Sequence, residues 1–365
     1  MALRIYSVIG ARPQFVKAAV VSRALAQHTN VVERLVHTGQ HYDPIMSDIF
    51  FTELGLAAPH VNLGIGSGLH GAQTGRMLEA LESLFVAEKP DRVLIYGDTN
   101  STLAAALAAA KLGIPVDHIE AGLRSFNRVM PEEVNRVVAD ALSDMLFAPT
   151  AAAVAHLRRE GIPETRIHRV GDVMYDATLL FGSRADATAL ARLGVTPKTY
   201  VLATIHRAEN TDDPDRLHTL FAALRRVAAT VPVVLPLHPR TRQRAAARGL
   251  LDTLPAGFKV IEPVGYFDML ALERDARVIA TDSGGVQKEA FFHHVPCVTL
   301  RTETEWVELV DSGWNRLAPP ENAAAVAAAI HDAASLDLAM LAHPDSYGDG
   351  RAAERIASKL ASLAS

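Results

Sequence analysis

Four side chains that can exchange protons stand at predicted ends or starts of secondary-structure elements. Asp98 ends the run "RVLIYGD", Glu120 follows "PVDHI", and His206 follows "YVLATI". Glu132 comes directly after a proline at a predicted helix start. Alone, each also fits a structural role, such as capping the next helix. Because strand ends of a parallel sheet meet at one edge, we expect these groups to converge, and gathered acids raise one another's pKa values. The sequence thus predicts carboxyls that donate and accept protons near neutral pH.

Two turns suit an anionic ligand, and the first is "GARPQFVK". It places Arg12 and Lys17 around a proline where a strand ends and a helix begins. Cations beside the N–H groups of a helix start attract a negatively charged ligand. The spacing matches neither a Walker loop nor GxGxxG. A tight turn with two solvated cations is the alternative interpretation.

The second turn is "DSGGVQKE", in which Ser283, Gly284 and Gly285 stand between a predicted strand and a helix. A hydroxyl and bare backbone N–H groups there can hold a pyrophosphate. Glu289 follows about one helical turn later, where a carboxylate can accept both hydroxyls of a ribose. A capped helix start is the alternative for this segment alone. Paired with the first turn, the segment favours a nucleotide diphosphate sugar.

Composition narrows the function classes. The net charge is −5 and the pI is about 6.3, which gives no support for nucleic-acid binding. The single cysteine, Cys297, excludes an internal disulfide and is expected to be a buried, inert thiol. HExxH and paired CxxC motifs are absent from the sequence, so no metal is predicted. The first apolar run reads as a strand and not a signal peptide, and no run reaches membrane-spanning length, so a cytoplasmic protein without a membrane partner is expected.

Elements that could position these residues alternate along the chain. Short β-branched runs are followed by amphipathic or Ala-rich segments, which is typical of parallel sheets covered on both faces. One helix is predicted after "RVLIYGD", with Thr99 or Asn100 as its N-cap and Gly113 at its end. A length of 365 residues favours two domains. We place them at 1–170 and 171–347, with a final helix at 348–365, and expect ligands at a cleft between the carboxyl ends of two sheets.

Eight segments form a specific combination: "GARPQFVKAA", "TGQHYDPIM", "YGDTNSTLAAALAAAKLGIPVDHIEAGLRS", "MPEEVNR", "TIHRAEN", "HPRT", "DSGGVQKEA" and "YGDGRAAERI". With them, the chain resembles the non-hydrolysing UDP-N-acetylglucosamine 2-epimerase family over essentially its full length. The resemblance implies a GT-B fold, an α/β architecture of two Rossmann-like doubly wound parallel-sheet domains. It also implies that the C-terminal helix packs back on the first domain and that the protein is often a homodimer.

The resemblance further implies inversion at C2 of a UDP-2-acetamido sugar, with no metal and no nicotinamide cofactor. A base removes the C2 proton while UDP leaves C1, giving a 2-acetamidoglucal. UDP then adds back and C2 is reprotonated from the other face, which needs a base and an acid on opposite faces. The expected substrate pair is UDP-N-acetylglucosamine and UDP-N-acetylmannosamine. Domain closure is expected to retain the intermediate and UDP.

By motif position, the resemblance implies roles for individual residues. The catalytic candidates are Asp98, Glu120, Glu132 and His206, and His206 alternatively assists departure of the diphosphate. The substrate- and nucleotide-binding candidates are Arg12, Lys17, Arg136, His238, Ser283, Gly284, Gly285 and Glu289. Candidates for an allosteric substrate site are Gln40, His41 and Arg76.

Three departures from the family pattern concern substrate choice and allostery. Gln14 stands where the first motif commonly has glutamate, Trp306 stands where an arginine approaches the nucleotide, and Asp43 replaces a glutamine of the allosteric segment. An indole in place of a guanidinium changes what one side of a pocket can hold. These variants resemble the branch that acts on UDP-2,3-diacetamido-2,3-dideoxyglucuronic acid, used in O-antigen sugar synthesis.

Rival functions remain open at the level of sequence. A retaining GT-B glycosyltransferase shares the fold, but its paired glutamates are separated by seven residues, and Thr281 stands where the partner of Glu289 would be. A hydrolysing epimerase needs the same first step but allows water to react, so that it releases free sugar and UDP. A non-catalytic sugar-nucleotide sensor would leave the strand-end acids of the first domain without a task.

Overall fold

The computed structural model describes residues 2–40, 51–182, 184 and 188–364. The chain forms two compact units, one of Met1–Leu180 with Asp345–Ser365 and the other of Phe181–Pro344. The predicted domain boundaries lie after residue 170 and before residue 348. Between the predicted first boundary and the observed one lies most of the helix Val173–Gly182.

The first unit is built on a parallel sheet of seven strands in the order β3-β2-β1-β4-β5-β6-β7. Central β1 lies between β2 and β4, with Val8 opposite both Val36 and Ile95. These three side chains are fully buried in one apolar cluster. The strands are β1 (Leu3–Ile9), β2 (Val31–His37), β3 (Val61–Asn62), β4 (Arg92–Tyr96), β5 (Val116–Ile119), β6 (Met145–Ala148) and β7 (Ile167–Arg169). The helices are α1 (Arg12–Leu25), α2 (His70–Glu88), α3 (Asn100–Lys111), α4 (Pro131–Leu142), α5 (Ala151–Arg159) and α6 (Val173–Gly182), with a 3₁₀ turn at Glu164–Arg166.

The second unit is built on a parallel sheet of six strands in the order β10-β9-β8-β11-β12-β13. Ala280 of β11 lies opposite Ala203 of β8 and Val298 of β12, and all three are buried in one cluster. The strands are β8 (Val201–Thr204), β9 (Val233–Pro236), β10 (Phe258–Ile261), β11 (Val278–Thr281), β12 (Cys297–Thr299) and β13 (Asn315–Leu317). The helices are α7 (Thr188–Leu193), α8 (Ala208–Thr211), α9 (Pro214–Ala228), α10 (Pro239–Ala246), α11 (Tyr266–Asp275), α12 (Gly284–Phe292), α13 (Val307–Asp311) and α14 (Ala323–Ala334), with a 3₁₀ turn at Leu338–Met340.

The last helix, α15 (Ala352–Ala361), belongs to the first unit. The carboxylate of Asp176, on α6, accepts hydrogen bonds from the N–H groups of Ala352 and Ala353 at 3.2 and 2.7 Å. Burial raises the pKa of Asp176 to about 6, although these two N–H groups oppose the rise. At the other end, the Asn30 amide donates to the carbonyl of Ala361 at 3.0 Å. Both ends of α15 are therefore fixed by polar contacts.

The helix predicted after "RVLIYGD" is α3. Thr99 is its N-cap and accepts a hydrogen bond from the N–H of Thr102, and Gly113 follows its end with a φ of +68°. Small alanine side chains let this helix lie close to its neighbours. They are buried at positions 104, 105, 106, 108 and 109.

Both sheets place their first and fourth strands side by side, so each has a switch point where the chain reverses its order of strand addition. Open α/β sheets bind ligands at the carboxyl ends of strands beside such a point. The predicted fold class, α/β with two Rossmann-like doubly wound domains of the GT-B type, is confirmed.

Candidate functional site

In the first unit, the turn after β1 brings Arg12 and Lys17 to the carboxyl edge of the sheet. Proline in the first turn of α1 suits the helix start, because an N–H there has no intrahelical acceptor. Burial lowers the pKa of the Arg12 guanidinium, and the charge of Glu53 opposes that effect. Lys17 lies on the buried face of α1.

Lys17 and Glu120 form an ion pair that is almost closed to solvent. The Lys17 Nζ contacts Oε2 of Glu120, and their side chains are 9% and 7% exposed. Glu120 has a φ of +69°, an uncommon conformation for a residue other than glycine. Gly97 lies against both groups, since a Cβ there would be 3.1 Å from the Glu120 carboxylate and 3.3 Å from the Lys17 ammonium. Strain of this kind is typical of functional sites, and sequence reasoning had not identified Gly97.

Asp98, directly after β4, is paired with a cation. Arg136 donates from Nη2 to Oδ2 of Asp98 and from Nη1 to Oε2 of Glu133 at 3.0 Å. The Arg136 side chain is 3% exposed, whereas that of Asp98 is 29% exposed. Glu133 also accepts the N–H groups of Ser125 and Phe126, each at 2.9 Å. The start of α4 thus fixes both Arg136 and the preceding loop.

Glu132 differs from these acids. It occupies the first turn of α4 and is partly buried. Its carboxylate makes no hydrogen bond or ion pair with any residue that the structure describes. Of the predicted catalytic acids of the first unit, it alone among described side chains has both oxygens available.

The expectation that like-charged acids gather in the first unit and raise one another's pKa values stays a prediction. The structure places a cation against Asp98 and another against Glu120. The reason is that a buried carboxylate is stabilised by a paired charge. This pairing could not be read from the sequence, since Lys17 and Glu120 are far apart along the chain.

Behind these groups lies a buried network that sequence reasoning missed. His118 forms hydrogen bonds through both ring nitrogens. Its Nδ1 is 2.7 Å from Oδ1 of Asp140, and its Nε2 is 2.7 Å from the carbonyl oxygen of Gly97, which accepts. Asp140 also accepts from Arg124 at 2.7 Å, and Arg124 contacts Glu160. Burial raises the pKa of Asp140, but contacts with His118 and Arg124 outweigh it, so the pKa is lowered. The network ties β5 and α4 to the turn that carries Asp98.

The candidate allosteric residues are only partly described. Gln40 accepts hydrogen bonds from the N–H and hydroxyl of Ser101 at 3.1 and 2.7 Å. Arg76 is exposed and donates to the carbonyl of Ser67 at 3.3 Å. His41 and the variant position Asp43 lie outside the described residues. The structure does not bring Gln40 and Arg76 into contact, and their allosteric role stays a prediction.

In the second unit, His206 follows β8 and lies against Asp282, which follows β11. The His206 Nδ1 is 3.1 Å from Oδ1 of Asp282, which is fully buried, while the His206 side chain is 49% exposed. The backbone N–H groups of His206 and Arg207 and the amide of Asn210 also donate to Asp282. Burial raises the pKa of Asp282, but the charge and hydrogen bond of His206 lead the contacts that lower it overall. Asp282 was not among the predicted site residues, although it begins the "DSGG" segment.

The helix α12 begins at this same edge of the sheet. Ser283 is its N-cap, and its hydroxyl accepts the N–H of Val286 at 3.4 Å. At Gly284 a Cβ would come within 2.6 Å of the Glu305 carboxylate, so a larger residue would have to displace that carboxylate. A Cβ at Gly285 would touch Glu289 and Ser283 at the more ordinary distance of 3.9 Å. The structure therefore brings Ser283, Gly284 and Gly285 together with His206 at one edge.

Glu289 is buried on α12 near two other titratable groups. Burial, followed by the charge of Glu289, raises the pKa of Glu273 well above its usual value. Neither carboxyl oxygen of Glu273 has a hydrogen-bond partner in the described part of the chain. Burial and the same charge raise the pKa of Tyr266. Among the described residues, an acid that raises the pKa of a neighbouring acid occurs in both units, since Asp172 and Asp349 also contribute to the raised pKa of Asp176.

Three further side chains belong to this region. His238 is exposed as the N-cap of α10 and accepts the N–H of Arg240 at 3.3 Å, so the structure does not bring it into contact with His206. Trp306 lies in a cation–π contact, with the Lys288 Nζ 4.1 Å from the ring centroid. A buried cation therefore accompanies the indole that replaces the expected arginine.

Arg301 is a second buried cation, which sequence reasoning missed. Its Nη1 is 3.1 Å from Oε2 of Glu305, with side chains 2% and 6% exposed. Its Nε and Nη2 are buried without a hydrogen-bond partner among the described residues. The signal available in the sequence was the charge alternation of "RTETE" after a strand.

Over the described part of the chain, no group of three or more His, Cys, Asp or Glu side chains could hold a metal ion. In those same residues, no helix combines the length and apolarity needed to cross a membrane. Burial raises the pKa of Cys297 to about 12, which makes it a poor nucleophile.

The two units are doubly wound α/β domains with the predicted site residues at the carboxyl ends of their strands, and this defines the class of the protein. Comparison with known proteins gives its family. The family described as UDP-N-acetylglucosamine 2-epimerase matches residues 23–361. The chain belongs to this family.

Three relatives illustrate the match. The UDP-2,3-diacetamido-2,3-dideoxy-D-glucuronate 2-epimerase of Pseudomonas aeruginosa is 50% identical over 99% of this chain and 100% of its own length. The UDP-N-acetylglucosamine 2-epimerase of Methanocaldococcus jannaschii is 45% identical over 86% of this chain and 88% of its own. The crystal structure of that enzyme with UDP-GlcNAc and UDP has a TM-score of 0.92 at 42% identity, covering 98% of this chain and 99% of the other.

Proposed function

We propose that the protein is a non-hydrolysing 2-epimerase of a UDP-2-acetamido sugar. The observation that carries the proposal is the set of acids at the carboxyl edge of the first sheet, Asp98, Glu120 and Glu132, in a chain similar along its length to such epimerases. Inversion at C2 needs a proton acceptor and a proton donor that are stereochemically distinct. A transferase has no comparable task for these acids.

The three acids divide the work. Asp98 and Glu120 are ion-paired with Arg136 and Lys17, and a carboxylate positioned in this way can accept the C2 proton. The carboxyl of Glu132 makes no hydrogen bond or ion pair with a described residue, so it is suited to donating a proton to C2 from the opposite face. The intermediate is a 2-acetamidoglucal, formed as UDP leaves C1.

The second unit supplies the nucleotide-binding groups. The start of α12, with Ser283, Gly284 and Gly285, offers N–H groups and a helix dipole to a diphosphate. His206, oriented by Asp282, serves the leaving diphosphate. Glu289 accepts the ribose hydroxyls, and Arg12, Lys17 and His238 complete the binding set. No metal or nicotinamide takes part.

Two substrates are candidates. The M. jannaschii relative is crystallised with UDP-GlcNAc and UDP, which favours UDP-N-acetylglucosamine and its manno epimer. The 50% identical P. aeruginosa relative, matched over 99% of this chain, favours UDP-2,3-diacetamido-2,3-dideoxyglucuronate. The second substrate would place the enzyme in O-antigen sugar synthesis. We also propose a cytoplasmic homodimer, as the family resemblance implies.

The test is NMR of the purified protein with each nucleotide sugar in deuterated water, without added metal or nicotinamide. Formation of the epimer with deuterium at C2 supports the elimination route and identifies the substrate. Failure with both substrates overturns the proposal and restores the retaining glycosyltransferase.

A paired variant makes the test specific to the site. Glu132→Gln is expected to lower the C2 exchange rate at least about 100-fold, because a proton-transfer group is worth roughly 10²–10⁴ in rate. Glu79→Gln makes the same change at an exposed position of α2 and serves as the control. Equal rates for the two variants would remove Glu132 from the mechanism.

A further inference from the structure

Gln14 is a buried amide at the switch point of the first sheet. It is 1% exposed and lies in the first turn of α1. Its Oε1 accepts hydrogen bonds from the N–H groups of Gly10 and Ala11 at 2.8 and 3.1 Å. Its Nε2 donates to the carbonyl of Tyr96 at 2.8 Å and to Thr102 Oγ1 at 3.0 Å.

The four contacts join two segments that come from different strands. Gly10 and Ala11 follow β1, and Tyr96 is the last residue of β4. The amide therefore links the turn that leads to Arg12 and Lys17 with the turn that leads to Gly97 and Asp98.

An amide satisfies all four partners of Gln14 without carrying a charge. Backbone N–H groups only donate, so one end of the side chain must accept. The carbonyl of Tyr96 only accepts, so the other end must donate. A carboxylate of the same shape would set an anion against that carbonyl, and an apolar side chain would leave buried polar groups unpaired.

We propose that Gln14 is a positioning residue, whose amide holds the cations of the β1–α1 turn at a fixed separation from the acids that follow β4 and β5. The inference rests on the proposed function of those acids and cations. Gln14 itself touches none of the reacting groups. It acts through the backbone of the two turns.

The decisive variant is Gln14→Glu, compared with Gln27→Glu, which makes the same change at an exposed position just beyond α1. A protonated carboxyl can still donate to Tyr96 and accept from Gly10 and Ala11, whereas the ionised form cannot donate. Burial beside a carbonyl favours the protonated form. The charged groups around the site are Arg12 and Lys17 on α1, Asp98 after β4 and Glu120 after β5, and two of them are already paired with each other.

We expect the C2 exchange rate and the affinity for UDP of Gln14→Glu to fall together as pH rises through the pKa of the new carboxyl. Neither wild type nor Gln27→Glu should show this additional fall with rising pH. Gln14→Met, which loses all four hydrogen bonds, should lower the exchange rate about 100-fold at every pH, the scale expected for a misplacement of about 1 Å.

Wild-type profiles for Gln14→Glu, or a wild-type rate for Gln14→Met, would overturn the inference. If Gln14→Met does not fold, as judged by circular dichroism, Thr102→Val removes the hydroxyl that accepts from Gln14 and donates to the carbonyl of Tyr96, and it must lower UDP affinity more than Gln27→Glu does. UDP binding also keeps the two proposals apart. If the wild type binds UDP but exchanges no sugar, only the epimerase proposal is refuted. The pH dependence of UDP affinity in Gln14→Glu then still tests the role of Gln14.

Discussion

The two units have the same strand order at their switch points but fill the carboxyl edge with different chemistry. In the first, acids stand against cations, as in the pairs Lys17–Glu120 and Arg136–Asp98. In the second, a helix start and a histidine on a buried aspartate occupy the corresponding edge. The shared topology fixes where a ligand can bind, and the side chains decide what is done to it.

The difference also concerns how buried charge is tolerated. The first unit compensates charge with charge, so removing one partner leaves an ion in a low-dielectric environment. In the second unit, burial raises the pKa of Glu273, hydrogen-bond donors surround Asp282, and the ion pair Arg301–Glu305 is also buried. Paired charges suit proton transfer, whereas the N–H groups at a helix start suit a diphosphate.

The largest effect is expected from Lys17→Met. Glu120 would remain buried without its cation, which costs about 3–5 kcal/mol when one partner of a buried pair is lost. Hydrogen exchange of the first unit should rise accordingly, while that of the second unit stays as in wild type. Lys111→Met, at an exposed position of α3, is the control. Recovery in Lys17→Met/Glu120→Gln would assign the loss to the uncompensated charge, and protection equal to the control would refute the comparison.

Next in size is the effect of Asp282→Asn on activity. His206 loses the carboxylate that orients its ring, and a comparable change in a histidine–aspartate pair can cost up to about 10⁴-fold. We expect C2 exchange to fall at least about 100-fold, with UDP affinity little changed. Asp252→Asn, exposed after β9 and α10, is the matched control. A rate equal to that of the control would show that Asp282 is only structural.

The units should also respond oppositely to acid. Asp176, in the first unit, has its pKa raised by burial from 3.8 to about 6, so its contribution is fully present below 3.8 and is lost as pH rises through 6. His293, in the second, has its pKa lowered by burial from 6.5 to about 4, so its contribution is present above 6.5 and is lost as pH falls through 4.

Melting temperatures of Asp176→Asn and His293→Phe between pH 4 and 7.5 test this contrast. Relative to wild type, Asp176→Asn should gain most at the upper end and His293→Phe most at the lower end. Shifts of a few degrees are expected, since about 1 kcal/mol moves the midpoint of such a unit by roughly 2–4 °C. Parallel trends for the two variants would contradict the assignment of opposite signs.

The smallest effect is expected from Arg158→Ala. Arg158 and Glu164 form an exposed ion pair in the first unit, with side chains 57% and 65% exposed. Exposed pairs contribute little, because water and salt screen them. Neither the melting temperature nor C2 exchange should change measurably. A clear loss would mean that surface pairs also matter in the unit that compensates charge with charge.

Much of the framework followed from local sequence. Alternating strand and helix patterns predicted two doubly wound sheets, and the Thr99 cap and Gly113 end of α3 are confirmed. Capping and periodicity depend on residues that are near one another in the chain, so they can be predicted from the sequence alone. The strand-end positions of Asp98, Glu120, His206 and Ser283 were legible for the same reason.

What the sequence determined was the identity of the chemical groups and the strand or helix end at which each stands. Only the tertiary structure decided their partners: Lys17 with Glu120, Asp282 with His206, and Gln14 across two turns. Those contacts join residues that are close together at the edge of a sheet but distant in the chain. Their pKa values and their charges depend on that proximity and on burial, and neither quantity is a property of a residue type or of its local pattern.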